Sequence, residues 1–368
     1  MRIGIIGAGQ LGQLLGYAAR DLGHECYFLD PSPRPPAAVV GPVLQAPFDD
    51  RVALAVLAEK CDVLTYEFEN VPVDALADIA GFAPIYPPPT ALQHAQDRLA
   101  EKSLFESLEI PIAQYRAIDS TDDLEQAATA IGLPLVIKTR RMGYDGKGQF
   151  RLRSTRQIDA AWLELGASGL IAEQWIGFEY EVSAIGVRNS SGEIATYCLT
   201  QNEHKDGILR VSRAPVDDAT LSEQAGQYVH KLLERLDYVG VLALELFVVD
   251  GQLLANEFAP RVHNSGHWTI EGAKTSQFTN HVLAITNEHL GPTTIVGHAG
   301  MINLIGQIPD PARQLPAGRL HDYGKTPRPG RKLGHITVVA DSAADRDRYI
   351  EEIELSVTQS TGHSGTGT

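Results

Sequence analysis

Two glutamates near the middle of the chain, Glu245 and Glu257, lie on strand-like runs, 241–248 and 252–258, that flank Val249-Asp250-Gly251. This stretch reads as a hairpin with glycine where the turn needs positive φ. A three-residue loop pairs Val248 with Gln252, sets Glu245 against Ala255 and Ala243 against Glu257, and puts both carboxylates on one face, roughly 7–8 Å apart as diagonal neighbours. The other face then carries Leu242, Leu244, Leu246 and Val248 against Leu254 and Phe258. A two-residue Asp-Gly loop would turn Glu257 into that apolar surface, because side chains alternate with period two. The three-residue loop is therefore expected. Ionised carboxylates on the covered side of a sheet need cations, since desolvating each costs several kcal/mol. Hard oxygen ligands suit Mg²⁺ shared with substrate phosphates; salt bridges to Arg261 and a lysine are the plainer alternative.

Other stretches point to anions. A strand over Leu133–Ile137 delivers Lys138, and Arg140-Arg141-Met142-Gly143-Tyr144-Asp145-Gly146-Lys147-Gly148-Gln149 follows. Its glycines let backbone amides close over phosphates, although the G-K-[ST] ending of a Walker loop is absent. Gly7-Ala8-Gly9-Gln10-Leu11-Gly12 follows the strand 2–7 and opens a helix, and Asp30 ends the next strand. This is formally the dinucleotide fingerprint and brings an NAD(P)-dependent oxidoreductase into consideration, yet its physical content is a cradle for any anion. Glu67-Phe68-Glu69-Asn70 follows the strand 62–66, at the carboxyl end where open α/β sheets bind ligands; ligand contact and capping of the next helix both fit. His263 and His267 are four apart, but Pro260 and Gly266 argue for a loop, so zinc is not expected. Lys325, Arg328, Arg331 and Lys332 put four cations within eight residues, an anion site or a solvated basic loop.

The elements that must position these groups alternate. Helices are expected near 49–60, 72–80, 90–108, 121–132, 217–236 and 271–287, and strands near 25–29, 84–86, 169–174, 301–305 and 336–340. The first part reads as a doubly wound parallel sheet. Pro87-Pro88-Pro89 marks a boundary near 88–100. With 368 residues the chain is too long for one core. A net charge of −15 argues against nucleic acid and against an anionic membrane surface as partners. The three cysteines form no CxxC pair, which favours a reducing compartment. No leader and no apolar span of about 20 residues is visible, so a cytoplasmic protein is expected.

In combination these features resemble the ATP-grasp superfamily. The blocks GAGQLG, VIKTRRMGYDGKGQ, NEFAPRVHNSGHW, MINLIG and RPGRKLGH resemble, more narrowly, the 5-(carboxyamino)imidazole ribonucleotide synthase family of de novo purine biosynthesis. The resemblance implies a Rossmann-like N-terminal domain over 1–100, an ATP-grasp region over 101–298, a small β-rich C-terminal domain over 299–357 and a disordered tail over 358–368. It implies ATP-dependent carboxylation of 5-aminoimidazole ribonucleotide with bicarbonate, through carboxyphosphate, releasing ADP and phosphate. ATP would be held by Arg98, Lys138, Gly143, Tyr144, Asp145, Gly146, Lys147, Gly148, Gln149, Glu173, Gln174, Trp175, Ile176, Glu181, His204, Asn256 and Glu257. Glu245 and Glu257 would carry Mg²⁺, or Mn²⁺. Gly9, Gln10, Leu11, Glu67, Asn70, Tyr144, Asp145, Arg261, His263, Asn264, Lys325 and Arg331 would hold the ribonucleotide. Lys138, Asp145, Arg261 and His263 are the expected catalytic residues, with Asp145 and His263 both open as proton handlers. A homodimer is expected by family resemblance. Another ATP-grasp ligase, the oxidoreductase and a non-catalytic nucleotide-binding module are the alternatives.

Overall fold

Short apolar strands alternating with helices build the N-terminal layer. Parallel strands β1 (Arg2–Ile6), β2 (Glu25–Asp30), β3 (Val43–Gln45) and β4 (Val63–Tyr66) run in the order β3-β2-β1-β4. Helix α1 (Gln10–Asp21) connects β1 to β2, α2 (Arg51–Lys60) connects β3 to β4, and α3 (Val73–Ile79) follows β4. The strand expected at 84–86 is reduced to a single bridge between Leu64 and Ile85, because prolines at 84 and 87 remove the flanking donors. The computed structural model describes residues 1–143, 148–166, 169–313 and 317–361.

The helix expected over 90–108 is two: α4 (Pro89–Ala95) and α5 (Arg98–Ser107). Asp97 breaks it by capping α5, its carboxylate accepting from the amides of Leu99 and Ala100. The break puts Arg98, Glu101 and Lys102 on one face of α5, at i, i+3 and i+4. A small antiparallel sheet follows, in the order β5 (Tyr115–Ile118), β8 (Leu170–Gln174), β6 (Leu135–Thr139), β7 (Gln149–Leu152), with α6 (Thr121–Ala130) and α7 (Ile158–Glu164) against it.

The largest sheet has nine strands, β9 (Tyr180–Arg188), β10 (Ile194–Thr196), β11 (Thr200–Lys205), β12 (Ile208–Ala214), β13 (Gly240–Val249), β14 (Gln252–Ala259), β15 (His298–Ile305), β16 (Gly318–Asp322) and β17 (Lys332–Ala340). Their order is β14-β13-β9-β11-β12-β15-β17-β16, with β10 on β9, so the C-terminal strands extend the same sheet. Helix α8 (Ala219–Arg235) covers its back, packing Val229, Leu232 and Leu233 among Leu242, Leu244, Leu246 and Val248. At about 1.5–3 kcal/mol per large apolar side chain buried, this face cannot be turned outward. The helix expected over 271–287 is α9 (Thr269–Gly272) and α10 (Gln277–Ile285), separated where Ser276 caps the second. Helix α11 (Ala343–Thr361) ends the described chain, so the tail expected from 358 begins inside a helix and its remainder, 362–368, lies outside the described residues. Among the described residues no helix is long and apolar enough to cross a membrane.

Candidate active site

The hairpin turn differs from expectation. Val249 pairs with Gln252 across a two-residue Asp250-Gly251 loop whose residues both have positive φ, 49° and 70°. That is the primed turn an Asp-Gly pair favours. The consequence feared for Glu257 is averted by a β-bulge: the register shifts between Glu245 and Leu246, and Asn256 is the extra residue. Glu245 thus faces Glu257 directly instead of diagonally. Ahead of the bulge the same shift sends Leu253 and Ala255, not Leu254, to the buried back face; Phe258 joins them beyond it.

Helix α5 takes up backbone groups around the bulge. Lys102 Nζ donates to the Asn256 carbonyl at 2.8 Å, and the Phe258 amide donates to Glu101 Oε1 at 2.7 Å. Arg98 pairs with Glu257 Oε2 at 3.0 Å. On the outer edge the Ala255 amide donates to the Pro111 carbonyl. Glu101 is 2% exposed, and burial pushes its carboxyl up to about 8, against the pull of Lys102. Glu101 and Lys102 were missed as site residues; the signal was their helical spacing from Arg98.

Lys102 also reaches the small sheet, its Nζ 3.5 Å from Glu173 Oε2. Lys138 Nζ lies 3.0 Å from Glu173 Oε1, a contact of charges rather than an aligned hydrogen bond. Burial lowers the Lys138 ammonium's pKa although Glu173 opposes this. Burial would lift the Glu173 carboxyl, but Lys138 and Lys102 outweigh it and bring it down to about 2. The Gln174 amide is fixed by Gln114, Trp175 lies under Arg151 with the guanidinium 3.5 Å from the ring centroid, and Ile176 follows half-buried. Glu181 and His204 form a hydrogen-bonded pair that raises the imidazole's pKa against burial. Gly143, Gly148 and Gln149 frame the glycine-rich loop; Tyr144, Asp145, Gly146 and Lys147 lie outside the described residues.

Glu245 pairs with His263, Nε2 to Oε1 at 3.0 Å. Burial raises this carboxyl, but His263, then His204 and Arg261, hold it below the usual carboxylate range. Among the described residues the second oxygen of each facing glutamate has no protein partner. No group of three or more His, Cys, Asp or Glu among them is arranged to hold a metal unaided. Two opposed carboxylates nevertheless fit Mg²⁺, which takes its remaining ligands from phosphates and water.

The glycine motif does something else than bind a dinucleotide. The Glu67 carboxylate accepts from the amides of Gly9 and Gly12, the latter at 3.0 Å, and fills the place of a phosphate. A Cβ on Gly9 would stand 2.6 Å from Glu67 Oε1, so the glycines make room for this side chain. Asp30 is engaged by the Ala8 and Ser32 amides. Burial raises the Glu67 carboxyl's pKa, with the Gly12 and Gly9 amides and Lys325 opposing. Lys325 bonds Gln10, and burial brings its ammonium down to about 8. Leu11 points into the core, Asn70 is half-buried on the same loop as Glu67, and Arg331 donates to the Thr326 carbonyl. Arg261 joins this region to β14 through Glu69 at 2.7 Å. Asn264 exchanges two hydrogen bonds with Asn303, so its amide is already engaged.

The residues expected to act together thus form one cluster around Glu173 and the bulge and a second around Glu67 and Lys325, bridged by Arg261 through Glu69. Residues 103–278 match the ATP-grasp domain model, residues 1–96 the ribonucleotide synthetase preATP-grasp domain and residues 299–348 the phosphoribosylaminoimidazole carboxylase C-terminal domain. Fold, site and matches define an ATP-grasp ligase. The chain is 46% identical over 359 residues to the N5-carboxyaminoimidazole ribonucleotide synthase of Pseudomonas aeruginosa, covering 97% of this chain and 99% of the relative. It superposes with a TM-score of 0.92 on the N5-carboxyaminoimidazole ribonucleotide synthetase of Thermus thermophilus, at 46% identity over 95% of this chain and 97% of that one. A complex of the Aspergillus clavatus N5-carboxyaminoimidazole synthase with ADP and 5-aminoimidazole ribonucleotide gives 0.90 at 30% identity, covering 97% and 98% of the two chains. The chain belongs to the N5-carboxyaminoimidazole ribonucleotide synthase family.

Proposed function

We propose that the chain carboxylates the amine of 5-aminoimidazole ribonucleotide with bicarbonate at the expense of ATP, giving the N5-carboxy nucleotide, ADP and phosphate in de novo purine biosynthesis. The observation that carries this reading is the facing pair Glu245 and Glu257, set by the bulge beside Lys138, Arg98 and Glu173. Mg²⁺ or Mn²⁺ held by the pair would offset charge on the phosphates being parted. Lys138 and Arg98 bring fixed positive charge to the same place. Bicarbonate oxygen takes the γ-phosphoryl group as the bond to ADP breaks, forming carboxyphosphate. The substrate amine then adds to the carboxyl carbon, phosphate leaves with the C–O electron pair, and the nitrogen sheds a proton. Carboxyphosphate hydrolyses if wet, so the reaction requires that water be kept from it.

Lys325 and Arg331 would hold the ribonucleotide's phosphate, with Gln10, Glu67 and Asn70 lining the rest of that pocket. The domain limits 1–100, 101–298 and 299–357 suit this division of labour. A cytoplasmic homodimer completes the reading; light scattering of the purified chain tests the dimer. With ¹³C-bicarbonate, ATP and the aminoimidazole nucleotide, label should enter the nucleotide as ADP forms. Label on any other acceptor, or ADP formation indifferent to the nucleotide, would overturn the assignment.

A further inference from the structure

Behind the site one side chain on α10 joins the N-terminal sheet to the large sheet. The two sheets share a core there: Ile3 and Ile5 of β1, Val241 and Ala243 of β13, and Phe278 and Val282 of α10 belong to one apolar cluster. His281 lies fully buried in this region. Its Nε2 is 2.9 Å from Thr65 Oγ1 on β4, and the Val241 amide on β13 donates to its Nδ1 at 3.1 Å. Thr65 and Val241 are buried as well.

The ring stands where a strand would otherwise be needed. Pairing of β13 with β14 reaches back only to Ala243, so on that flank His281 takes the Val241 amide in place of a strand carbonyl. Close approach is built in: a Cβ on Gly240, where φ is +116°, would stand 3.0 Å from His281 Cε1. A backbone N–H can only donate, so Nδ1 is the acceptor, the neutral ring carries its proton on Nε2, and Thr65 Oγ1 receives it. Burial brings the imidazolium down to about 3, which keeps the ring neutral.

Both strands run on into the site. Glu67 follows Thr65 by two residues and fills the glycine loop; Glu245 follows Val241 by four and faces Glu257. At about 3.3 Å per residue, the bridge lies about 7 Å of chain from the one and about 13 Å from the other. We infer that His281 is a positioning residue, fixing the offset between the strand that delivers Glu67 and the strand that delivers Glu245. This rests on the carboxylation proposed above, in which an amine held beside Glu67 must meet a carboxyl activated beside Glu245. With the bridge cut, phosphoryl transfer still proceeds but the amine arrives out of line. Water then attacks carboxyphosphate in its place, and bicarbonate and phosphate are released with the nucleotide unaltered.

The test counts ADP against labelled nucleotide in the full chain, with ¹³C-bicarbonate. Thr65→Val removes the acceptor at nearly unchanged size. It should lower kcat for the carboxylated nucleotide about tenfold, keep KM for ATP within about twofold, and raise ADP formed per labelled nucleotide from about one to about two or more. His281→Asn keeps an acceptor for the Val241 amide but is too short to reach Thr65, and should uncouple in the same way. Thr65→Ser retains the oxygen and should restore both kcat and the ratio. The ratio is counted per turnover, so a loss of folded protein alone leaves it unchanged. An unchanged ratio in either Thr65→Val or His281→Asn, or a Thr65→Ser enzyme as uncoupled as Thr65→Val, overturns the inference. Failure of the carboxylation reading is a different result: no label in the nucleotide with the unaltered chain.

Discussion

Replacing Glu101 by Gln isolates the clamp that α5 places on the bulge. The carboxyl is 2% exposed, accepts the Phe258 amide, and has its pKa moved by burial from 4.5 to about 8. Folded-state pKa above the unfolded value means that the native state holds a proton the unfolded chain has released. Stability from this group is full below pH 4.5 and is lost as pH rises toward 8, at about 1.4 kcal/mol per pH unit, or about 5 kcal/mol across the interval. Glutamine keeps the acceptor oxygen and does not titrate. The Gln variant should therefore match the unaltered protein near pH 5 and gain on it steadily, by about 2 kcal/mol between pH 6.5 and 8. Urea unfolding followed by tryptophan fluorescence, in EDTA and without nucleotide, measures the gap. Hydrogen exchange over 98–107 should show the same trend. A gap that stays constant with pH, or a variant less stable at pH 8, would refute the assignment of Glu101 as a neutral acid bracing the bulge.

Acid should loosen the protein through its buried histidines. Burial depresses His267 and His335 well below their ordinary 6.5 and brings His281 to about 3. The unfolded chain takes up protons there as pH falls below about 6.5 while the fold does not, so each such histidine removes about 1.4 kcal/mol per further pH unit. A urea midpoint unchanged between pH 7 and 5.5 in Glu101→Gln, where the opposing carboxyl is gone, would contradict this. Lys325→Ala combined with Arg331→Ala should raise KM for the ribonucleotide at least tenfold and KM for ATP little; equal effects would move the phosphate pocket elsewhere. In Gly9→Val the side chain collides with Glu67 from 2.6 Å and needs that carboxylate to leave the loop amides. Loss of ribonucleotide binding with ATP binding retained is expected, as measured by calorimetry.

The parts of the fold carried by period and composition were legible in the sequence. The parallel N-terminal sheet, a strand presenting Lys138 (found at Leu135–Thr139 rather than 133–137), the hairpin and its two inward glutamates all follow from runs of apolar residues and turn chemistry. The hairpin's register did not, because an Asp-Gly turn and a bulge each shift the pairing by one and cancel in their effect on Glu257 while changing its partner. Nothing in local pattern marks Asn256 as the extra residue. Its bracing by Lys102, and that of the neighbouring Phe258 amide by Glu101, joins positions more than 150 apart in the chain. The glycine motif misled in the opposite way. Its spacing reports a need for close approach to a negative group, and here that group is Glu67 of the protein itself.

Glu245 and Glu257 are proposed to hold a divalent ion jointly beneath the nucleotide. Electron paramagnetic resonance of Mn²⁺ with ADP tests it most directly, comparing the unaltered chain with a Glu245→Gln, Glu257→Gln variant whose fold is checked by circular dichroism. Bound Mn²⁺ in the presence of ADP for the first, and its loss from the folded variant, is the predicted result. Mn²⁺ bound equally well by both would contradict it.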